Sequence, residues 1–237
     1  MPSNGMNEFK AAECIKFGWE TFKKRPWFLI GVTFLYLGIT LVISNILAPF
    51  AVTFGDPRAG TPADFSLPRI LVSLVQYVIG TFLMMSVTAL ILKAHDGVET
   101  VTLSDAWKPK LFLPYLLVTI ATSIIIGIGF ILLIVPGIIA MTMLFFASYI
   151  VIDKGMGAMD AIDESRTITK GNRMEIFFLF LMSLGVLILG TLALLVGLLV
   201  AAPVVYLATV HAYRTLSAQK ESIVPAAPLA SAAPVVS

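Results

Sequence analysis

Few residue types in this chain could carry out a reaction. Cys14 is the single cysteine, and His95 and His211 are the two histidines. One thiol closes no internal disulfide, and one thiol with two scattered imidazoles does not supply the ligand set of a zinc site. Neither an H-E-x-x-H sequence nor a Ser/His/Asp arrangement is visible. Gly127, Gly129, Gly185, Gly190 and Gly197 lie within apolar runs. A phosphate cradle needs a strand before it and a water-exposed helix N-terminus after it, so these glycines read as close-packing positions. No cofactor is implied, and the chain is expected not to be an enzyme. Cys14 reads as a small packing residue, and the two histidines as interfacial groups.

The remaining chemistry is that of surfaces and membranes. Lys23, Lys24 and Arg25 stand beside Trp19 and Trp27, and Trp107 is flanked by Lys108 and Lys110. Indole rings settle at the headgroup level of a bilayer, and a basic residue near an anionic membrane surface is worth about 1 kcal/mol. A second set, Ser165, Arg166, Lys170, Gly171 and Asn172, reads as a capped helix end packed against the start of the fifth span. Arg166 would face the carbonyl end of that helix. Within apolar runs, Asn45 and Gln76 are amides that lipid leaves unpaired at high cost. Hydroxyls such as Thr40, Thr81 and Thr119 can bond back to their own helix.

These groups must be positioned by membrane helices. Of 237 residues, 58% are hydrophobic and 13% are charged. Soluble domains average about 45–50% and about 25%. Mean hydropathy is +0.95, and the apolar residues fall in blocks long enough to cross a bilayer. The reading is all-α: a polytopic bundle of six transmembrane helices with cytoplasmic amphipathic helices. Residues 1–26 form an N-terminal amphipathic helix, with Phe9, Ala12, Ile15, Trp19 and Phe22 on its apolar face. Residues 27–216 hold the six spans, and 217–237 form a disordered tail rich in Ala, Pro, Ser and Val. The first apolar block is too long for a signal h-region and reads as an uncleaved span. Pro136-Gly137 reads as the turn between spans three and four, leaving span four short at 138–152. The last turn is expected near Gly197.

Charge sets the expected orientation. Fourteen of the 16 basic residues fall in the N-terminal segment, the second and fourth loops and the tail; only Arg58 and Arg69 fall on the other side. The positive-inside rule places the basic side, with both termini, in the cytoplasm. The net charge of +2 gives no support to a nucleic-acid partner. Each odd-numbered span also follows a basic, aromatic stretch, which suggests three parallel repeats of amphipathic segment and hairpin. No Asp, Glu, Lys or Arg lies mid-span, which argues against an ion-coupled carrier built on carboxylates.

Leu132-Leu133-Ile134-Val135-Pro136-Gly137-Ile138, then Val151-Ile152-Asp153-Lys154-Gly155, then Ser165-Arg166 and Lys170-Gly171-Asn172 run in that order. Together with Ala212-Tyr213-Arg214, they resemble a bacterial six-pass membrane family. Its domain is also found fused to some glycerophosphoryl diester phosphodiesterases. The resemblance implies six helices in the inner membrane and no assigned activity, since the fused enzymes carry catalysis on a separate soluble domain. The expected function is a non-catalytic inner-membrane protein that organises membrane lipids or other membrane proteins. The alternative is a permease or lipid-translocating protein, which would depend on Asn45 and Gln76.

Overall fold

The computed structural model of the chain describes residues 9–53, 67–193 and 196–223. They form nine α-helices: α1 (Ala11–Lys24), α2 (Pro26–Thr53), α3 (Leu67–Gly97), α4 (Phe112–Leu132), α5 (Ile134–Leu144), α6 (Ala147–Lys154), α7 (Ala158–Ile168), α8 (Arg173–Leu192) and α9 (Val196–Ile223). Two short 3-10 turns, Leu103–Ala106 and Pro109–Leu111, precede α4. Six stretches are long and apolar enough to cross a membrane, with α5 and α6 together supplying the fourth, Ile134–Lys154. The protein is a polytopic helical membrane bundle. The loop bearing Arg58, and the residues after Ile223, lie outside the described residues.

Neighbouring helices pair as hairpins, α2 with α3, α4 with α5, and α8 with α9. The sixth span is the hub: α9 also packs on α1, α2 and α3. Half of its apolar window is buried, against 11% for each of the first three spans. Burial is concentrated at the basic end, on Phe22, Leu29, Met85, Phe146, Ile150, Ile176, Leu207 and Tyr213. At the opposite end the helices present their side chains outward. Ile131 is 85% exposed and Leu192 75% exposed. Such surfaces suit lipid tails, which are as apolar as the residues themselves.

Three boundaries differ from the sequence reading. First, the turn between spans three and four falls on Leu133, in extended conformation, and Pro136 lies in the first turn of α5. The first four N–H groups of a helix have no partner within it, so proline loses nothing there. Gly137 instead lets α5 approach α4. A Cβ on Gly129 would lie 2.9 Å from the Gly137 Cα. Second, span four is not short. It runs over 21 residues and is interrupted at Phe145-Phe146. The interruption frees carbonyls at the end of α5, and the buried Ser165 hydroxyl donates to the Met143 carbonyl at 2.8 Å. Third, α9 continues through Ser217 to Ile223 rather than ending at 216. Leu216 is buried there, and Lys220 is bound to Glu164 of α7.

Three helix hairpins follow one another along the chain, but the segments that precede them are unlike. The first and third are helices, α1 and α7, whereas the middle one is only the pair of 3-10 turns. The Thr102 and Asp105 side chains cap the first of these, and Pro109 follows too soon for a longer helix.

The Glu164 junction ties α6, α7 and α9 together. Lys154 reaches one carboxylate oxygen at 2.9 Å and Lys220 takes the other. Burial pushes the Glu164 carboxyl up, but the hydrogen bonds from Lys220 and Lys154 outweigh it, and the net shift is downward. A depressed carboxyl contributes stability above its ordinary range and loses it as pH falls through the folded-state value. Thermal stability in detergent will therefore fall as the solution is acidified through the glutamate range. Glu164→Gln will melt lower at neutral pH and show a smaller acid step. An unchanged acid step would assign the sensitivity elsewhere.

Candidate functional site: a charged cleft at the basic end

Helix α1 leaves its polar face outward and seats its other face on protein. Ala11, Cys14, Gly18, Thr21 and Phe22 are buried, against α9 and α8. The sequence reading put Phe9, Ala12, Ile15, Trp19 and Phe22 on one apolar face turned to the headgroups, whereas Phe9 and Phe22 are buried. The structure exposes Ala12 and Trp19 and half-buries Ile15. Membrane-helix interfaces favour small residues because they let backbones approach. Cys14 packs as expected, and burial pushes its thiol up to about 12.

The residues expected at the lipid interface separate into two groups. Trp19, Trp27 and Trp107 are all exposed, Trp27 at 85%, and Lys23 and Lys24 are exposed beside the first two. Arg25 differs: it is a clamp. Its Nη1 donates to the carbonyls of Val98, Glu99 and Val101 at 3.1–3.2 Å, and its guanidinium lies 4.4 Å from the Phe28 ring centroid. Arg25 therefore holds the loop after α3 instead of facing lipid.

The second expected set is also divided. Ser165 is buried on the Met143 carbonyl, and Thr169 donates to the Ser165 carbonyl. Gly171 has φ +93°, the left-handed conformation that glycine adopts without strain. Asn172 is the N-cap of α8. Arg166 is a correction: it faces outward and pairs with Asp163 at 3.5 Å rather than reaching carbonyls. Lys170 is exposed. The helix bearing this set sits chiefly on α4, α5 and α6, not on the start of span five.

Asn45 and Gln76 are not joined. The exposed Asn45 amide donates to the Leu41 carbonyl of its own helix at 2.8 Å. No hydrogen bond reaches the half-buried Gln76 among the described residues. Thr40, Thr81, Ser86, Thr119, Thr122 and Thr191 likewise bond back four residues along their own helices.

The structure brings together groups that the sequence reading left apart. The Arg214 guanidinium on α9 bridges two carboxylates. Nη2 donates to Asp96 at the end of α3 at 2.8 Å, and Nη1 to Asp153 at the end of α6 at 2.9 Å. The Tyr213 hydroxyl donates to the same Asp153 oxygen at 2.7 Å. On the far side of Asp96, His95 Nδ1 lies 3.2 Å from its other oxygen, and His95 Nε2 lies 3.1 Å from His211 Nδ1. Phe17 of α1 stacks on His211 with centroids 3.9 Å apart. A polar chain thus runs from His211 of α9 through His95 and Asp96 of α3 and back through Arg214 of α9 to Asp153 of α6, with the Phe17 ring of α1 stacked at its end. Among the described residues no group of three His, Cys, Asp or Glu is placed to hold a metal ion.

Beside this chain opens a cleft of about 340 Å³, lined by Lys93, Asp96, Ser104, Asp105, Trp107, Lys108, Asp153 and Arg214 among others. Asp153-Lys154 and Tyr213-Arg214 stand out in the sequence as motif residues. Sixty-odd positions separate Asp153 from Arg214, so nothing local announces that they meet.

Residues 117–220 match the model of a family described as "Protein of unknown function (DUF975)". The matched stretch holds Asp153, Ser165 and Arg214 but not Asp96 or the N-terminal helix. It supports the coarser part of the resemblance, a family without an assigned activity, and does not connect the chain to the membrane domain of phosphodiesterases. No curated protein and no solved structure matches the chain.

Proposed function

We propose that this chain is a non-catalytic, multi-pass protein of the bacterial inner membrane that gathers lipids around its cytoplasmic face. One observation carries the reading. The buried core, the outward tryptophans and the exposed Lys23 and Lys24 collect at the basic end, while the described residues toward the other end expose mainly large apolar side chains such as Ile131 and Leu192. Trp19, Lys23, Lys24 and Trp27 form a continuous patch of indole and ammonium, suited to an anionic surface. The six-pass resemblance and the charge distribution favour the inner membrane with both termini inside. Asn45 bonded to its own helix makes the permease alternative the weaker one.

The test compares the full chain with a Lys23→Gln/Lys24→Gln variant, leaving Arg25 as the clamp. Anionic lipid co-purifying with each is quantified by mass spectrometry. The variant will retain less, and the difference will shrink at high salt, where the screening length falls to about 3 Å at 1 M. Reporter fusions at Gly97 and Gly157 will read cytoplasmic, and at Ala59 external. If the lysine variant keeps its lipid while Asn45→Leu/Gln76→Leu alone abolishes growth under envelope stress, the protein is a transporter. An external signal at Gly157 overturns the orientation.

A further inference from the structure

The cleft at the basic end has a charge pattern more specific than a general attraction for anions. Its lining carries three cations, Lys93, Lys108 and Arg214, and three carboxylates, Asp96, Asp105 and Asp153. Arg214 is occupied by its bridge between Asp96 and Asp153. Lys93 and Lys108 make no hydrogen bond or close ion pair among the described residues, and their charges act on the Asp105 carboxylate only at longer range. The bonds to Asp105, from the Thr102 N–H and hydroxyl, both fall on Oδ2. Those to Asp153 also fall on Oδ2. The cleft therefore offers two ammonium groups on one hand, and the Oδ1 atoms of Asp105 and Asp153 on the other.

A simple anion would satisfy the lysines and lie against two carboxylates. A simple cation would meet the reverse difficulty. A compact zwitterion answers both. The volume, about 340 Å³, falls at the small end of the roughly 300–1,000 Å³ usual for small-molecule sites. The wall includes Trp107, which is 67% exposed and packs edge-on against Phe82 with centroids 5.6 Å apart. An exposed indole at the mouth of a charged cleft marks the level where headgroup meets acyl chain.

We propose that this cleft binds the headgroup of a phospholipid bearing both a phosphate and a primary ammonium. Lys93 and Lys108 donate to the phosphate, and Asp105 and Asp153 accept from the ammonium. Trp107 lies along the glycerol and upper acyl chain. The proposal rests on the lipid-gathering reading and adds a headgroup preference that a basic collar does not have. Both headgroup charges are needed, because charge-assisted bonds form at both ends of the cleft.

The test uses the purified full chain in detergent, with bound lipid counted by native mass spectrometry. Phosphatidylethanolamine is compared with its mono-, di- and trimethylated forms, and with phosphatidylglycerol. Methylation removes N–H donors from the ligand and leaves the protein untouched. Retention will fall stepwise along the methylated series, by about tenfold overall, the equivalent of 1.4 kcal/mol. Lys93→Gln/Lys108→Gln will weaken ethanolamine and glycerol lipids alike. Asp105→Asn retains an oxygen for the Thr102 cap, and will weaken only the ethanolamine lipid. Lys23→Gln/Lys24→Gln will lower total anionic lipid but leave the methylation series unchanged, so the collar and the cleft fail separately. Equal retention across the methylated series by the wild-type chain overturns the proposal. Displacement of the lipid by soluble phosphoethanolamine at equal concentration overturns its lipid source, and would make the cleft a site for the free compound.

Discussion

Gly18→Ala will undock the N-terminal helix, although alanine is the better helix former by about 1 kcal/mol. A Cβ at this position would lie 2.4 Å from the Val204 carbonyl oxygen and 3.0 Å from the Ala208 nitrogen. Both are backbone atoms of α9, the helix around which the bundle is built, and neither can rotate away as a side-chain tip would. Overpacking costs about 1–3 kcal/mol when the surroundings can yield, and a fixed helix backbone puts this site at the upper end. The consequence extends beyond one contact. Phe17 leaves His211, the Ala11 N–H leaves the Glu175 carboxylate, and Arg25 loses its anchorage on the loop after α3. Melting in detergent will drop sharply, and limited proteolysis will cut near Lys16 and Lys23 in the variant before the wild type. Gly31→Ala is the control: nothing lies within 4 Å of a Cβ there, so only the propensity gain remains. If Gly18→Ala melts at the wild-type temperature, the close approach of α1 and α9 is wrong.

Gly18 also marks the limit of what could be read beforehand. The six spans were legible because a bilayer demands long apolar runs, and the chain has them. The seated face of α1 was not, because hydrophobicity ranks Trp19 and Ile15 above Gly18 and Thr21. In a membrane that ranking loses its force: lipid accepts the large side chains, and protein takes the small ones. Pro136 misled for a related reason. Proline and glycine signal a turn in general, yet proline is equally at home in the first helical turn, and Leu133 carries the turn instead. The extension of α9 past 216 depends on Glu164 of α7, a partner supplied by tertiary structure. The charged cleft was the least visible feature. Two of its carboxylates terminate α3 and α6, the third lies in a 3-10 turn, its guanidinium lies on α9, and no periodicity links them. What the sequence did offer was the company of Asp153 and Arg214 in motifs, without a sign of their common purpose.

Arg214 is the residue on which that cleft depends, and its removal will have the largest effect of any single charge. Arg214→Met keeps the length and apolar stem of the side chain and deletes the fork. Two carboxylates then face the same space, Asp153 with 19% and Asp96 with 50% of the side chain exposed. Breaking a fully buried pair costs about 3–5 kcal/mol, and the partial exposure here reduces that to roughly 2 kcal/mol, between the buried and surface cases. Arg214→Lys will recover only part of the loss. A single ammonium is a point charge and does not present the rigid fork that spans Asp96 and Asp153. The decisive measurement is a double-mutant cycle. Asp153→Asn removes one of the stranded charges, so Arg214→Met/Asp153→Asn will be more stable than the sum of the single losses predicts. Additive losses would mean that the bridge contributes packing alone. The same cycle bears on the lipid site, because a free Arg214 or a free Asp153 alters the charge pattern that Lys93, Lys108 and Asp105 present. Arg214→Met adds uncompensated negative charge beside the ammonium position, so it will weaken phosphatidylglycerol more than phosphatidylethanolamine even in the fraction that stays folded.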